Sequence, residues 1–213
     1  IRSASDSKVY DGTALVNDDY SITNGSFVTG EGIADVKITG TQTEVGQSAN
    51  TIESVTLTKA TKEENYNITK ENGTLLVKPY TGAVTVTLTG GSHEYDGQDF
   101  QGTATVSGIP NGYTYTIEVT NAPVKNVKDG KVEVTYALHV YNTQGDDVTS
   151  TLNVQDNEAF IEVTPRPVTI KSNSATKVYD GTPLVDDGYS VINGSFVEGE
   201  GVSDVIITGS QTE

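Results

Sequence analysis

Polar and apolar residues alternate at period two through much of the chain. Ala83-Val84-Thr85-Val86-Thr87-Leu88 is the clearest run, and Thr74–Val77, Thr114–Val119, Lys131–Val140 and Ala159–Val163 read alike. A period of two sends successive side chains to opposite faces of a sheet, and the Val and Thr that dominate these runs fit a pleated, half-buried surface. No segment holds an apolar period of 3.6 over ten residues, and the Lys- and Glu-rich stretch Thr58–Tyr66 predicts no more than one or two helical turns. Asn-Gly or Asp-Gly pairs at 24–25, 72–73, 111–112, 129–130 and 193–194 separate the runs. Such pairs suit type I′ hairpins, where both central residues need φ > 0. The pattern predicts an all-β protein of small antiparallel domains, each a sandwich or a grasp-like sheet.

The runs recur. Lys-Val-Tyr-Asp-Gly-Thr occurs at 8–13 and again at 177–182, and sliding the chain by 169 aligns residues 1–44 with 170–213 at 30 identities. A weaker copy, Tyr95-Asp96-Gly97, lies 85 residues after Tyr10 and 84 before Tyr179. Asn67-Ile68 leads to Val77-Lys78-Pro79 as Asn153-Val154 leads to Val163-Thr164-Pro165, twelve residues from Asn to Pro in both. Pro removes a ladder donor and stiffens a connection, so boundaries fall near Pro79 and Pro165. The chain reads as repeat 1 over 1–79 with its first strand nearly lost, a divergent repeat 2 over 80–165, and the N-terminal half of repeat 3 over 166–213. Stacked end to end, units with a radius of gyration of roughly 12 Å predict a rod of roughly 75–100 Å. A half-repeat exposes strand edges. It marks either a fragment boundary or a surface completed in trans, with domain swapping between otherwise monomeric copies as the route. The start at Ile1 and the lack of any Met read as an internal fragment or a processed product.

Composition removes several functions. Thirteen Lys and Arg against 29 Asp and Glu give a formal charge of −16. Nucleic acid needs clustered cations, and an anionic membrane surface repels such a chain. No Cys means no disulfide and no thiol chemistry, and two His cannot build a multi-His metal site. No stretch approaches the ~18–20 apolar residues of a membrane span.

Lys177-Val-Tyr-Asp-Gly-Thr-Pro-Leu184, matched at 8–15 with Ala14 in place of Pro, resembles the YDG/MBG-type repeats of large bacterial surface proteins. So do Thr39-Gly-Thr-Gln-Thr-Glu-Val-Gly46 and Glu64-Asn-Tyr-Asn-Ile-Thr69 followed by Asn72-Gly73-Thr74-Leu75. The resemblance covers nearly the whole chain and weakens in repeat 2, where Gln98-Asp99 replace Thr-Pro and Leu152-Asn153 replace Tyr-Asn. It implies tandem β repeats in a secreted, wall-attached protein of a Gram-positive bacterium, acting as a stalk or adhesive arm with no enzyme chemistry.

Particular residues carry the chemical expectations. Tyr10-Asp11-Gly12 and its copies read as structural, with Tyr packed inward, Asp capping backbone donors and Gly taking φ > 0. His93 aligns with Lys8 and Lys177, which predicts a strand-edge or solvent position, and neither His93 nor His139 is accompanied by Gly-x-Ser-x-Gly. Lys8 with Asn65 or Asn67, and Glu63 or Glu64 as proton shuttle, is the candidate for an intramolecular isopeptide bond. The acidic pairs Asp18-Asp19 and Asp186-Asp187 recur in related repeats and are candidate Ca²⁺ ligands, since loop carboxylates suit a hard cation. Tyr113 and Tyr115 are specific to repeat 2 and fall on one strand face, where they would serve a host glycan or mucin. The leading expectation is a structural spacer of a modular adhesin, and the alternative is a glycan-binding module acting through repeat 2.

Overall fold

The computed structural model describes residues 1–212. Residues 1–79 hold strands β1 (Arg2–Ser3), β2 (Asp6–Val9), β3 (Tyr20–Ser21), β4 (Ile33–Ile38), β5 (Gly46–Asn50), β6 (Ile52–Leu57) and β7 (Gly73–Lys78). Residues 80–165 hold β8 (Ala83–Thr89), β9 (Gly91–Glu94), β10 (Thr103–Ser107), β11 (Thr114–Val119), β12 (Val132–Glu133), β13 (Tyr136–Tyr141), β14 (Asn153–Asp156) and β15 (Phe160–Thr164). Beyond Pro165 lie β16 (Thr169–Ser172) and β17 (Tyr189–Asn193). The protein is all-β. The only helical element between Thr58 and Tyr66 is one 3₁₀ turn, Glu63–Asn65.

Chain contacts define two compact units. The first comprises Ile1–Thr87, Thr105–Glu118 and Leu138–Asp156, and the second comprises Leu88–Ala104, Val119–Ala137 and Asn157 onward. In the first unit, β7 lies between β2 and β5. It runs parallel to β2, with Asp6 opposite Leu75 and Lys8 opposite Val77, and antiparallel to β5. β4 pairs antiparallel with β6, and β11 neighbours β13 in a two-stranded sheet. β8 lies between β10 and β14, parallel to β14. In the second unit, β15 lies between an antiparallel β12 and a parallel β9. β16 pairs antiparallel with β17.

The sheets are therefore mixed, not purely antiparallel. A parallel partner must be reached by a long connection. Here the second strand of a repeat pairs with its last, as β2 with β7 and β9 with β15. Period-two alternation cannot distinguish these arrangements, because it reports faces and not partners.

Burial follows the alternation. Leu75 and Val77 of β7, and Val84 and Val86 of β8, are buried in the first unit with Tyr10, Leu15, Ile52 and Val140. Leu88, Val124, Val134, Ile161 and Val163 form the core of the second. The Asn-Gly expectation needs correction. Only glycines take positive φ among the described residues, so none of the pairs is a type I′ turn. Most of these glycines sit in long loops between non-adjacent strands. Gly73 instead opens β7 and is buried. A Cβ there would lie 2.2 Å from the Ala4 carbonyl oxygen, so its role is close backbone approach and not a reversal.

Candidate functional site

The repeated hexapeptide forms one local structure each time. Asp11 accepts both the amide and the hydroxyl of Thr13 on one oxygen, each at 2.8 Å. Lys8 Nζ donates to that same oxygen at 2.7 Å and to the Thr13 hydroxyl at 2.7 Å. In the later copy Asp180 accepts the Thr182 amide and hydroxyl at 2.9 and 2.7 Å, and Lys177 donates to Asp180 at 2.8 Å. Gly12 and Gly181 follow at φ 81° and 75°. Repeat 2 keeps the form with other residues: Asp96 accepts the Gln98 amide at 2.8 Å, and His93 Nε2 stands 3.0 Å from Asp96. His93 also stacks on Phe100, with ring centroids 5.1 Å apart.

These contacts shift the carboxyls. Lys8, followed by the amide and hydroxyl of Thr13, holds Asp11 down at about 2. Lys177, then the Thr182 hydroxyl and amide, does the same for Asp180 at about 2. A carboxyl depressed in the folded state contributes stability above its unfolded pKa, and that contribution is lost as pH falls through the folded value. Both turns are expected to hold through pH 4 and open only toward pH 2. A side-chain carbon NMR titration reads this directly, and midpoints of Asp11 and Asp180 near 4 would contradict it.

The hexapeptide also meets the following repeat. In the first unit the Tyr10 ring, 2% exposed, packs on Leu15, Leu75 and Val77. Tyr113 lies 4.8 Å from it, ring centre to ring centre, tilted by 44°. The Tyr10 hydroxyl donates to the Asn111 carbonyl at 2.9 Å. The Asn111 amide in turn reaches the Asp11 carbonyl at 3.3 Å. Burial, reinforced by Glu44, raises the pKa of both Tyr10 and Tyr113. The second unit repeats this meeting of a Tyr-Asp-Gly turn with an Asn-Gly loop, in different chemistry. The Tyr95 hydroxyl donates to Glu200 at 2.5 Å, and Gly97 lies beneath Val197. Arg166 forks onto the Ser195 carbonyl at 2.6 Å and the Ser195 hydroxyl at 2.9 Å.

Beside Tyr10 opens a cleft of about 170 Å³, lined by Glu44, Val45, Tyr80, Tyr113, Gln144 and Leu152 among others. Thr143, between the lining residues Asn142 and Gln144, donates its hydroxyl to Glu44. Tyr113 precedes β11 and faces this cleft, whereas Tyr115, within β11, is 46% exposed and does not line it. The two tyrosines that the alternation places on one face thus have separate surroundings. Tyr80 and Glu44, which join Tyr113, come from distant positions and carried no signal in the sequence.

The remaining candidates are dispersed. Asp18, Asp19 and Asp187 are exposed, and Asp186 is occupied by the Gly188 amide at 2.8 Å. Among the described residues no three His, Asp or Glu side chains converge as a metal site would require. His139 Nδ1 stands 2.8 Å from Asp147, whose carboxyl is held at about 2, first by the Thr149 hydroxyl, then by its amide and His139. Lys8 is engaged by Asp11 and Thr13, while Asn67 lines a separate hollow of about 130 Å³ with Phe27 and Tyr66. None of the described helices is long and apolar enough to cross a membrane. No family model matches the chain, nor does any curated protein or solved structure.

Proposed function

We propose that this chain is a structural spacer, a stalk segment of a modular surface adhesin, whose repeated motif couples each repeat to the next. The observation that carries this reading is the double use of the Tyr-Asp-Gly turn. Its Asp and Thr groups are consumed in closing the turn, and its Tyr and Gly are consumed against the Asn-Gly loop of the following repeat. An acidic surface of charge −16 supports solubility and self-repulsion at a crowded cell exterior. The resemblance to YDG/MBG-type repeats supports a secreted, wall-attached setting in a Gram-positive bacterium.

One feature favours a second reading, an adhesin module for host glycan or mucin. The cleft beside Tyr10 combines two aromatic rings, Tyr80 and Tyr113, with a carboxylate and the Gln144 amide. Aromatic faces beside polar groups suit a sugar ring, whose C–H face is apolar and whose hydroxyls need partners. A glycan and mucin panel, run with Ca²⁺ and again with chelator, separates the readings. The spacer gives no saturable binding in either condition. Saturable binding lost in Tyr113→Ala and kept in Tyr115→Ala would replace it with the adhesin. Binding lost only with chelator and in Asp18→Asn or Asp187→Asn would assign Ca²⁺ a role.

A further inference from the structure

Asn-Gly occurs at 24–25, 72–73, 111–112 and 193–194. A glycine after asparagine has no Cβ to hinder approach, so its backbone nitrogen can reach the preceding side-chain carbonyl. The fold treats the four pairs differently. Gly73 opens β7 and is buried, and its amide donates to the Ser3 hydroxyl at 2.9 Å. Asn72 Oδ1 accepts the Ile52 amide at 3.1 Å, so both reacting groups are held although Asn72 itself is exposed. At Asn111 the backbone carbonyl accepts the Tyr10 hydroxyl at 2.9 Å, and the side-chain amide donates to the Asp11 carbonyl at 3.3 Å. Asn24 and Gly25 are exposed in the loop between β3 and β4, with nothing within 4 Å of a Cβ added at Gly25. The Asn24 side chain has no hydrogen-bond partner among the described residues. Asn193, which matches Asn24, is exposed too, and its Oδ1 stands 3.0 Å from the Gly194 nitrogen. This openness does not depend on a neighbouring repeat. Asn24 belongs to a repeat whose later strands are present, and Asn193 to a loop already seated on the Tyr95 turn of the repeat before it.

We propose that Asn24 and Asn193 are sites of spontaneous deamidation through a cyclic imide, and that the fold protects Asn72 and Asn111 from the same reaction. The glycine nitrogen loses its proton to base and forms a bond to the asparagine Cγ. The Cγ–Nδ2 bond breaks, and the side-chain nitrogen takes up a proton and leaves as ammonia. Water then opens the succinimide at either carbonyl, giving aspartate or isoaspartate. The reaction consumes only water. Each event adds a carboxylate to a chain already at −16. Isoaspartate also lengthens the backbone by a carbon. At 193 that change falls two residues before Ser195, whose carbonyl and hydroxyl hold Arg166, in the loop that meets the Tyr95 turn through Glu200. Modification at 193 therefore alters the contact between repeats 2 and 3 without any change in the encoded sequence.

The test ages the full chain in mildly alkaline buffer, both folded and in denaturant. Each Asn-Gly peptide is then followed by mass spectrometry, with aspartate and isoaspartate separated by chromatography. In denaturant the four sites share one dipeptide and should react at similar rates. In the folded chain Asn24 and Asn193 are expected within about threefold of their unfolded rates. Asn72 should be slowed on the order of tenfold or more, because reaction there waits for local opening, with Asn111 in between. Slowing of Asn24 and Asn193 as great as that of Asn72, or equal rates at all four folded sites, would overturn the proposal. Tyr10→Phe provides a second arm. It frees the Asn111 carbonyl and should raise the rate at 111 several-fold with no change at 24. An unchanged rate at 111 would overturn its protection by the fold.

Discussion

Replacing Tyr10 by Ala is expected to destabilise the first compact unit by about 3–5 kcal/mol, the range for truncating a buried aromatic. The ring fills the space between Leu15, Leu75, Val77 and Tyr113, and its hydroxyl satisfies the Asn111 carbonyl. Tyr10→Phe keeps the packing and removes only the hydrogen bond, so about 1 kcal/mol is expected. The informative control is Tyr179→Ala. Tyr179 occupies the same place in the same hexapeptide but is exposed, so its loss should stay within ~0.5 kcal/mol. Two compact units make one global unfolding midpoint a poor readout, so local opening should be followed by hydrogen exchange at 73–78 and 110–114. Equal effects of Tyr10→Ala and Tyr179→Ala would mean that the ring serves its own turn and not the coupling of repeats. The spacer reading would then lose its main support.

The second large effect is expected at Gly12. Its φ of 81° lies in the left-handed region, which costs an L-residue about 1–2 kcal/mol. An added Cβ would also stand 2.8 Å from Asn111 Nδ2 and 3.0 Å from the Asn111 carbonyl oxygen. Overpacking of that kind adds typically ~1–3 kcal/mol, because backbone of the following repeat has to move. Gly181 has nearly the same φ, 75°, with nothing within 4 Å of an added Cβ. Gly181→Ala should therefore show the backbone cost alone. The difference between Gly12→Ala and Gly181→Ala isolates the contact between repeats, measured as loss of exchange protection at Tyr113 and its neighbours. If the two substitutions cost the same, the close approach of Gly12 to Asn111 contributes nothing to stability.

Much of the architecture was legible in advance because it is local. The run Ala83–Leu88 fell within β8, and Thr114–Val119 matched β11 end to end. Lys131–Val140 was broken into β12 and β13, since an uninterrupted alternation conceals a change of sheet. The cleft beside Tyr10 was half legible. Tyr113 stood out as specific to repeat 2, but Glu44 and Tyr80 are 69 and 33 residues away in sequence and no spacing rule joins them.

The contrast between the two near-identical halves separates local from tertiary control. Lys-Val-Tyr-Asp-Gly-Thr builds the same Lys–Asp–Thr network at 8–13 and at 177–182, with glycine at positive φ in both. Every partner in that network lies within five residues, so short-range hydrogen bonds suffice to form it. Asp6–Val9 is a strand while Ala175–Val178 is not, although both lead into the same hexapeptide. A strand needs a ladder of bonds from another segment. β7, more than sixty residues further along the chain, supplies that ladder to β2. Likewise the identical tyrosine is buried at 10 and exposed at 179, because burial depends on what packs above a side chain.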